Sequence, residues 1–419
     1  MARFGAAVVA GAGVALGLPG SAGAAEWTLT TLYSFAGGSD GGEPDNGALI
    51  AGQDGTLYGT TSGAGGEDGR GTVFQLTPPA NADGAWTEKV LLNFAGGHLG
   101  YNPQWGLVLT GGSLYGTTPD GGWDKGGMAF RLYPPAPSHA DWRESVLYSF
   151  ANNDAPYTTL LHGAGNVLYG TASSTNSTGS VFSFTPPAIA GGAWTQAYLH
   201  IFSKTGTEGY APYGSLAADD TGALYGTTIE GGSAGYGTVY KLTPPPKASG
   251  TWTETILYSF QGGPSDGAVP VGGLVMDNAG VLYGTTQDGG INNNGAVFCL
   301  APPAKAGGTW SYSVLHIFTG GKDGTNPSSG LTLSATGNLY GTTFSGGSAD
   351  KGGSVFRLTP PATSGGAWSY SKLYGFDFAG DSGYEPAGSL LLLHGALYGT
   401  TYAGGKSGHG TVFKLTAPG

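Results

Sequence analysis

The chain has 419 residues, of which 82 are glycine and only 10% are charged. An ordinary soluble protein carries about 25% charged residues, so much of this surface must consist of glycine, small polar side chains and backbone. The formal net charge is −11 and there is no cluster of lysine and arginine, which argues against a nucleic-acid partner and against attachment to anionic membranes. The net charge does not exclude a surface that binds cations or neutral ligands.

Residues 1–24 are predicted to be a signal peptide. Arg3 precedes an apolar stretch over 5–18, and an A-x-A cleavage site follows at 22–24. The stretch is too short to span a bilayer comfortably; the alternative is a buried N-terminal strand or helix. We therefore expect a secreted or periplasmic protein that is a single domain over residues 25–419 and is not inserted in a membrane once the signal is removed.

The phrase Gly-x-Leu-Tyr-Gly-Thr-Thr recurs seven times, with small variations, at intervals of 54 to 58 residues. A period sustained along a whole chain is typical of a repeat architecture, in which each unit packs on its neighbours. The tyrosines of the phrase are Tyr58, Tyr115, Tyr169, Tyr225, Tyr283, Tyr340 and Tyr398.

Each unit contains four short segments that are rich in β-branched and aromatic residues and bounded by Gly, Pro, Asn or Asp, which is the signature of strands. In chain order they are Trp-Thr with Leu-Tyr-Ser-Phe, a Gly-x-Leu segment after a proline, the Leu-Tyr-Gly-Thr phrase, and Gly-Thr-Val-Phe-x-Leu-Thr-Pro-Pro. Seven such units predict an all-β, seven-bladed β-propeller with four antiparallel strands per blade. A stacked β-solenoid is the alternative.

The linkers predict the order of strands within a blade. Tight turns such as Asp54-Gly55 join the second and third segments. A longer Pro-Pro hairpin, such as 302–310, joins the fourth segment to the first segment of the unit that follows in the chain. Each blade then runs second, third, fourth, first segment from the axis outward. Because the chain begins with a first segment at 27–35 and ends with a fourth at 411–415, the N-terminal strand is predicted to close the C-terminal blade and remove its open edge.

The repeated phrase, with the Gly-Gly and Gly-Thr-Val-Phe-x-Leu that follow it, closely resembles the GloVer (Gloeo/Verruco) tandem repeat over residues 26–419. The resemblance implies an exported bacterial protein, without an established activity and without catalytic residues to carry over. Members often have a C-terminal sorting or anchoring segment. Here the chain stops at Gly419 after the last repeat, which argues against surface attachment.

The second unit departs most from the repeat. Trp105 and Trp123 are the only tryptophans outside the repeated tryptophan position. They fall on the face formed by the crossovers and by the loops between the two middle strands, together with His98, Tyr101 and Asp124. Aromatic platforms beside polar groups suit sugar rings or peptides, so these five are the predicted ligand-binding residues. The alternative is that the two indoles fill the opening between the loops of that blade.

Acidic residues recur in the crossovers just before a proline. Recurrence in most units favours capping of a turn over catalysis. Calcium is the alternative, because hard cations bind several oxygens and the segments 288–294 and 67–68 offer Asp, Asn and Glu side chains. No loop has the spacing of an EF-hand or a Gly/Asp nonapeptide, so neither a cofactor nor a metal is predicted. The recurring acids include Asp40, Asp266, Asp323 and Asp381.

No catalytic residues are predicted either. The chain has no nucleophile-elbow, zinc-protease or phosphate-loop motif, and among the seven histidines only His98 and His409 fall on the face of the crossovers. A pair of loop carboxylates could serve a glycosidase, or a histidine a polysaccharide lyase, but the sequence singles out no pair. Cys299 is the single cysteine and is interpreted as an inert thiol on a strand.

The function predicted from the sequence is therefore a non-catalytic binding or interaction scaffold outside the cytoplasm, monomeric, with a carbohydrate or an envelope protein as partner. One alternative is a hydrolase or lyase that acts on extracellular polysaccharide. The other is a ring that only spaces other surface components.

Overall fold

The computed structural model of the protein describes residues 26–418, except 64–68, 82–83, 138, 152–153, 174–177, 190–191, 206, 248–249, 306, 350 and 364. The predicted signal peptide and the segment 67–68, which was part of the calcium alternative, therefore lie outside the described residues. The helices within the described ranges are three single 3-10 turns, at Gly97–Leu99, Ala164–Asn166 and Ile291–Asn293. None of the described helices is long and apolar enough to cross a membrane.

The strands form seven antiparallel sheets of four strands each, arranged in a ring, and one additional two-stranded pair. These sheets are the blades of a seven-bladed β-propeller, as predicted. In the first six blades the strands follow one another outward from the axis in chain order, which confirms the predicted order of segments.

Blades 1 to 3 have the following strands, innermost first. Blade 1 contains β2 (Ile50–Ala51), β3 (Leu57–Thr61), β4 (Thr72–Thr77) and β5 (Thr87–Asn93). Blade 2 contains β6 (Val108–Thr110), β7 (Ser113–Thr118), β8 (Lys125–Tyr133) and β9 (Arg143–Ala151). Blade 3 contains β10 (Leu161–His162), β11 (Leu168–Ala172), β12 (Ser180–Thr185) and β13 (Thr195–Ile201).

Blades 4 to 6 continue the pattern. Blade 4 contains β14 (Gly209–Ala218), β15 (Leu224–Gly231), β16 (Thr238–Thr243) and β17 (Thr253–Ser259). Blade 5 contains β19 (Val275–Met276), β20 (Leu282–Thr286), β22 (Ala296–Ala301) and β23 (Ser311–Ile317), and the additional pair is β18 (Gly267–Ala268) with β21 (Asp288–Gly289). Blade 6 contains β24 (Thr332–Leu333), β25 (Leu339–Thr343), β26 (Ser354–Thr359) and β27 (Ser369–Gly375).

Blade 7 is completed by the start of the described chain. Its inner three strands are β28 (Leu391–Leu393), β29 (Ala396–Thr401) and β30 (Thr411–Thr416), and its outer strand is β1 (Thr28–Ser34). The pairing runs antiparallel from Thr28 opposite Thr416 to Ser34 opposite Thr411. The predicted closure of the ring by the N-terminal strand is confirmed.

The hydrophobic core lies between the blades. Each of seven buried clusters joins one blade to the next, and one of them packs Leu49 and Phe74 of blade 1 against Tyr398 and Val412 of blade 7. Both faces of each sheet are therefore covered, which explains why the strands read as apolar runs without strict alternation.

The tyrosine of the repeated phrase connects neighbouring blades. Tyr58 of blade 1 meets Trp142 of blade 2 edge to face, with ring centroids 6.2 Å apart. A tyrosine–tryptophan contact recurs at each of the next four junctions, tilted at 58° between blades 4 and 5 and edge to face at the other three. Aromatic pairs of this kind add about 0.5–1.5 kcal/mol beyond the buried area. The other pairs are Tyr115–Trp194, Tyr169–Trp252, Tyr225–Trp310 and Tyr283–Trp368.

The two threonines of the phrase have different roles. The first binds the next blade, because the hydroxyl of Thr60 donates to the carbonyl of Trp105 at 3.1 Å. The second stays within its blade, where the hydroxyl of Thr61 pairs with that of Thr72 at 2.9 Å. Thr117, Thr171 and Thr285 repeat the first contact, and Thr228 and Thr401 repeat the second.

Candidate functional site

Three of the five predicted ligand-binding residues meet in a cleft on blade 2. His98 lies in the 3-10 turn of the crossover from blade 1, and Trp123 lies in the loop between β7 and β8. The imidazole and the indole stack at 4.6 Å with an interplanar angle of 25°. Trp123 is 71% exposed and Tyr101 is 36% exposed. The blade 2 cleft has a volume of about 470 Å³ and is lined by Gly97, His98, Tyr101, Gly121, Gly122, Trp123 and Lys125.

Glycines hold the two loops of the cleft together. Gly121 has a φ of +81°, and a Cβ there would lie 2.6 Å from the Cα of Gly100 in the other loop. The amide of Gly122 donates to the carbonyl of Gly97 at 2.9 Å, and Tyr101 forms an antiparallel bridge with Asp120. Because these bonds are made by the backbone, the stacked pair stands on a rigid base.

Tyr101 is fixed from the side of blade 1. The guanidinium of Arg70 lies over its ring at 5.7 Å from the centroid, and the amide of Asn102 donates to the carbonyl of Arg70 at 2.9 Å. The side-chain amide of Asn102 also donates to Asp120 at 3.0 Å. The phenol of Tyr101 is thereby held at the edge of the cleft.

The structure does not bring the other two predicted residues into the cleft. Asp124 is exposed and follows Trp123 directly, but its backbone amide donates to Ser149 at 3.3 Å and its side chain is not part of the lining. Trp105 is only 6% exposed and packs edge to face on Tyr213 at 5.2 Å. Trp105 therefore packs against blade 4 and takes no part in the cleft, whereas Trp123 stands exposed between the loops of blade 2.

Trp105 lines a second cavity at the axis of the ring. This cavity has a volume of about 200 Å³ and its other walls are mainly small residues from several blades, including Ala48, Ser215, Gly272 and Ser329. Nearby, burial and repulsion from Glu43 raise the pKa of Asp45 to about 6, despite a hydrogen bond from Asn46. Pockets for ligands the size of an oligosaccharide usually measure about 300–1,000 Å³, so the blade 2 cleft is the better candidate site.

Three of the recurring acids of the crossovers cap turns, as predicted, namely Asp40, Asp266 and Asp323. Asp40 accepts hydrogen bonds from the hydroxyl of Tyr33 at 2.9 Å and from the amide of Ala36 at 2.8 Å. Asp266 accepts the same pair of bonds from Tyr258 and Gln261. Asp323 caps its turn through the amide and hydroxyl of Thr319.

Two side chains of the segment 288–294, which was considered as the calcium alternative, bond within the loops. The side-chain oxygen of Asn293 accepts the amide of Gly289 at 2.8 Å, and that of Asn294 accepts the hydroxyl of Thr325 at 2.9 Å. These two amide oxygens are committed to loop geometry, so nothing in the segment favours a cation over the simpler structural role.

A cluster that the sequence reasoning missed lies between blades 3 and 4. The Nε2 of His200 on β13 is 2.7 Å from Oε1 of Glu208 in the crossover and 3.7 Å from Oε2 of Glu254 on β17. Burial, the contact with Glu208 and repulsion from it raise the pKa of Glu254 to about 8. Aligning the repeats could have found the cluster, because His200 stands where four other units have tyrosine.

The single cysteine is inert, in agreement with the prediction. Cys299 lies half-buried on β22 opposite Tyr283. Burial and the nearby Asp277 raise the pKa of its thiol to about 11. Since the thiolate is the reactive form, Cys299 offers no nucleophile at neutral pH.

Comparison with known families identifies the repeat. The model of the Gloeobacter/Verrucomicrobia repeat matches residues 21–198, 144–307 and 304–419. The chain belongs to this family. The comparison with curated proteins gives no match.

Solved structures with the same fold belong to diverse proteins. The polysaccharide lyase Uly1 superimposes with a TM-score of 0.54 at 10% identity, covering 90% of each chain. PorZ, a surface component of the type-IX secretion system of Porphyromonas gingivalis, gives a TM-score of 0.52 at 12% identity, with coverage of 90% of this chain and 47% of its own. The extracellular domain of a hybrid two component system of B. thetaiotaomicron gives 0.53 at 10% identity, covering 94% and 43%. At these identities the likeness concerns the fold alone.

Proposed function

We propose that this member of the repeat family is a non-catalytic carbohydrate-binding propeller that acts outside the cytoplasm, and that the blade 2 cleft binds the sugar. The observation that carries the proposal is Trp123, whose indole is 71% exposed while it stacks on His98. Exposing a large aromatic surface gives up the free energy that burial would provide. Tryptophan is enriched at binding interfaces, where the indole packs on a partner while its N–H stays available for a hydrogen bond.

The chemistry of the cleft suits a sugar ring. The apolar C–H face of a pyranose packs on an indole, and its hydroxyl groups bond to polar groups at the rim. Here the rim offers the phenol of Tyr101, the ammonium of Lys125 and the backbone of the two glycine-rich loops. The volume of about 470 Å³ accommodates one or two sugar rings.

The architecture of a blade does not require an aromatic residue at this position. The loop residues equivalent to Trp123 after the Gly-Gly pair are Ser233, Ile291, Ser348 and Lys406 in blades 4 to 7. Blade 2 is thus specialised on a scaffold whose other copies fold without the indole.

The lining favours binding over hydrolysis. Glycosidases generally need two carboxyl groups that flank the scissile bond, and none of the residues that line the blade 2 cleft is Asp or Glu. One observation favours a lyase as the second candidate: His98 and Tyr101 place an imidazole and a phenol, a base and an acid, in one cleft. The predicted signal peptide and the extracellular neighbours of the same fold support a location outside the cytoplasm.

The test is a glycan array followed by calorimetric titration with the oligosaccharides that bind. We expect Trp123→Ala to weaken binding at least tenfold, about 1.4 kcal/mol, because the stacking surface is lost. The melting temperature should stay unchanged, since the indole is mostly exposed.

The matched control is Ile291→Ala, which removes a 47% exposed side chain from the equivalent loop of blade 5 and should leave binding intact. Equal affinity of Trp123→Ala and the wild type would reject the cleft. A new ultraviolet absorbance from an unsaturated product, lost in His98→Ala, would establish the lyase instead.

A further inference from the structure

We propose that blades 3 and 4 are joined by a divalent transition metal of the zinc class, bound by His200, Glu208 and Glu254. This site lies away from the blade 2 cleft and does not depend on the function proposed for it. Each ligand comes from a different element: the outer strand of blade 3, the crossover, and the outer strand of blade 4.

The geometry fits a common metal ion. One ligand atom from each residue lies within 4.8 Å of the other two. Tetrahedral zinc with bonds of about 2.0–2.2 Å holds its ligand atoms roughly 3.3 Å apart. The measured separations of 2.7 Å and 3.7 Å between the imidazole and the two carboxylates lie on either side of that value. Side-chain shifts of a few tenths of an ångström would complete the site.

The imidazole beside two carboxylates distinguishes this junction, and not the unpaired oxygen of Glu254. Oε1 of Glu254 is buried without a hydrogen-bond partner, but so is Oε1 of Glu88 and of Glu144 at the same position of other blades. The ring of His200 is held edge to face on Phe202 at 4.7 Å, so its orientation is fixed. The charge of two carboxylates balances a dication.

The cluster remains reachable from solvent. The side chains of His200, Glu208 and Glu254 are 18%, 23% and 14% exposed. A metal ion can therefore enter without unfolding of the junction, and three protein ligands leave a coordination position for water.

At other junctions, the repeat positions equivalent to His200, Glu208 and Glu254 hold different residues. Between blades 7 and 1 they hold Tyr33, Asp40 and Glu88, and the phenol donates to Asp40. Between blades 5 and 6 they hold His316, Asp323 and Tyr370; there the imidazole stacks on the phenol at 4.2 Å, which leaves a single carboxylate.

Only the junction of blades 3 and 4 combines an imidazole with two carboxylates at these three repeat positions. Aspartate is replaced there by the longer glutamate, which extends the reach of the carboxylate. The combination of nitrogen and oxygen ligands selects zinc-like ions over calcium and magnesium, which prefer oxygen alone.

The test uses the full chain after removal of metals with a chelator and dialysis. Titration with zinc chloride should show one site per chain, and cobalt(II) should give visible absorption bands that zinc displaces. The variant His200→Tyr installs the residue found at this position in four other units, so it should fold; we expect it to bind zinc at least tenfold more weakly. Glu254→Gln should lose affinity in the same way.

Two matched controls come from the repeat itself. His316→Tyr removes the other histidine at the same repeat position, and Glu88→Gln changes the equivalent glutamate of blade 1; both should retain the zinc affinity of the wild type.

Zinc at a free concentration about a hundred times Kd should raise the ratio of folded to unfolded protein about a hundredfold. The melting temperature should rise accordingly. The proposal is overturned if His200→Tyr binds zinc as the wild type does, if His316→Tyr loses the site instead, or if calcium binds and zinc does not.

Discussion

At the scale of single residues, the second glycine of the repeated phrase, the one after the tyrosine, is required by packing and not by a backbone angle. A Cβ on Gly284 would lie 2.6 Å from Cζ of Phe298 on the next strand and 2.9 Å from Cδ2 of Leu274. The ring of Phe298 is fully buried and has nowhere to move. We expect Gly284→Ala to lower the free energy of unfolding by about 1–3 kcal/mol, as overpacked cores do, in denaturant titrations.

The control for this variant is Gly38→Ala, because a Cβ there would have no heavy atom within 4 Å and the backbone angle is not left-handed. Its stability should change by less than about 0.5 kcal/mol. The reduced entropy of the unfolded chain favours alanine in both variants, so a loss of the same size in both would contradict the assignment to the aromatic ring.

Glu144 gives the stability a dependence on pH. Burial raises the pKa of its carboxyl from 4.5 to about 7, and its Oε1 is buried without a hydrogen-bond partner. The folded state therefore holds a proton that the unfolded state releases, so the free energy of unfolding falls as the pH rises from about 4.5 to about 7.

Glu144→Gln should remove this loss. We expect a gain of about 1–3 kcal/mol at pH 8 and almost none at pH 4. Glutamine is already present at the equivalent position of blade 3, as Gln196. Thermal unfolding at the two pH values measures the effect, with the exposed Glu26→Gln as a control that should show neither change. A gain at pH 4 as large as that at pH 8 would contradict the assignment to Glu144.

At the scale of strands and loops, the sequence predicted those features of the fold that recur in every repeat unit. The phrase carries its own tertiary contacts: its tyrosine, glycine and threonines each meet a partner that the repeat supplies, as Tyr283 meets Trp368. The period therefore predicted the blade count, the strand order and the ring closure together. Except for β14 of blade 4, the inner strands proved shorter than the segments suggested, and β19 spans only Val275–Met276.

The sequence predicted less about the candidate sites, because loops have no period. His98 and Trp123 meet only because Gly121 lets two loops touch, and no pattern of residue types records that contact. Trp105 is also a tryptophan, but it lies shortly after a proline and just before the inner strand of blade 2. Its side chain therefore lines the cavity at the axis and not the cleft. His200 departs from the tyrosine of four other units, but the two glutamates beside it lie in other elements, so the repeat alone does not show that they meet.

At the scale of the whole molecule, stability depends on closure by β1. This strand pairs with β30 over its length, and it brings Phe35 into the cluster between blades 7 and 1. Leu29 packs in the cluster between blades 6 and 7. One strand thus contributes to two of the seven interfaces, and its removal would also expose the edge of β30, which is a template for aggregation.

We therefore expect a variant that lacks residues 26–35 to lose cooperative unfolding, to bind a hydrophobic dye and to form oligomers in size-exclusion chromatography.

Attaching the strand to the other end of the chain tests whether the ring needs the strand itself or needs it at the N-terminus. A permuted chain that begins at residue 36 and carries residues 27–35 after Pro418, joined through a copy of residues 304–309 of the Pro-Pro hairpin, restores the strand from the other end. It should be monomeric and melt within a few degrees of the wild type, because every blade then contains four strands in the same order. A truncated chain as stable as the wild type, or a permuted chain as unstable as the truncated one, would show that something other than the closing strand holds the ring.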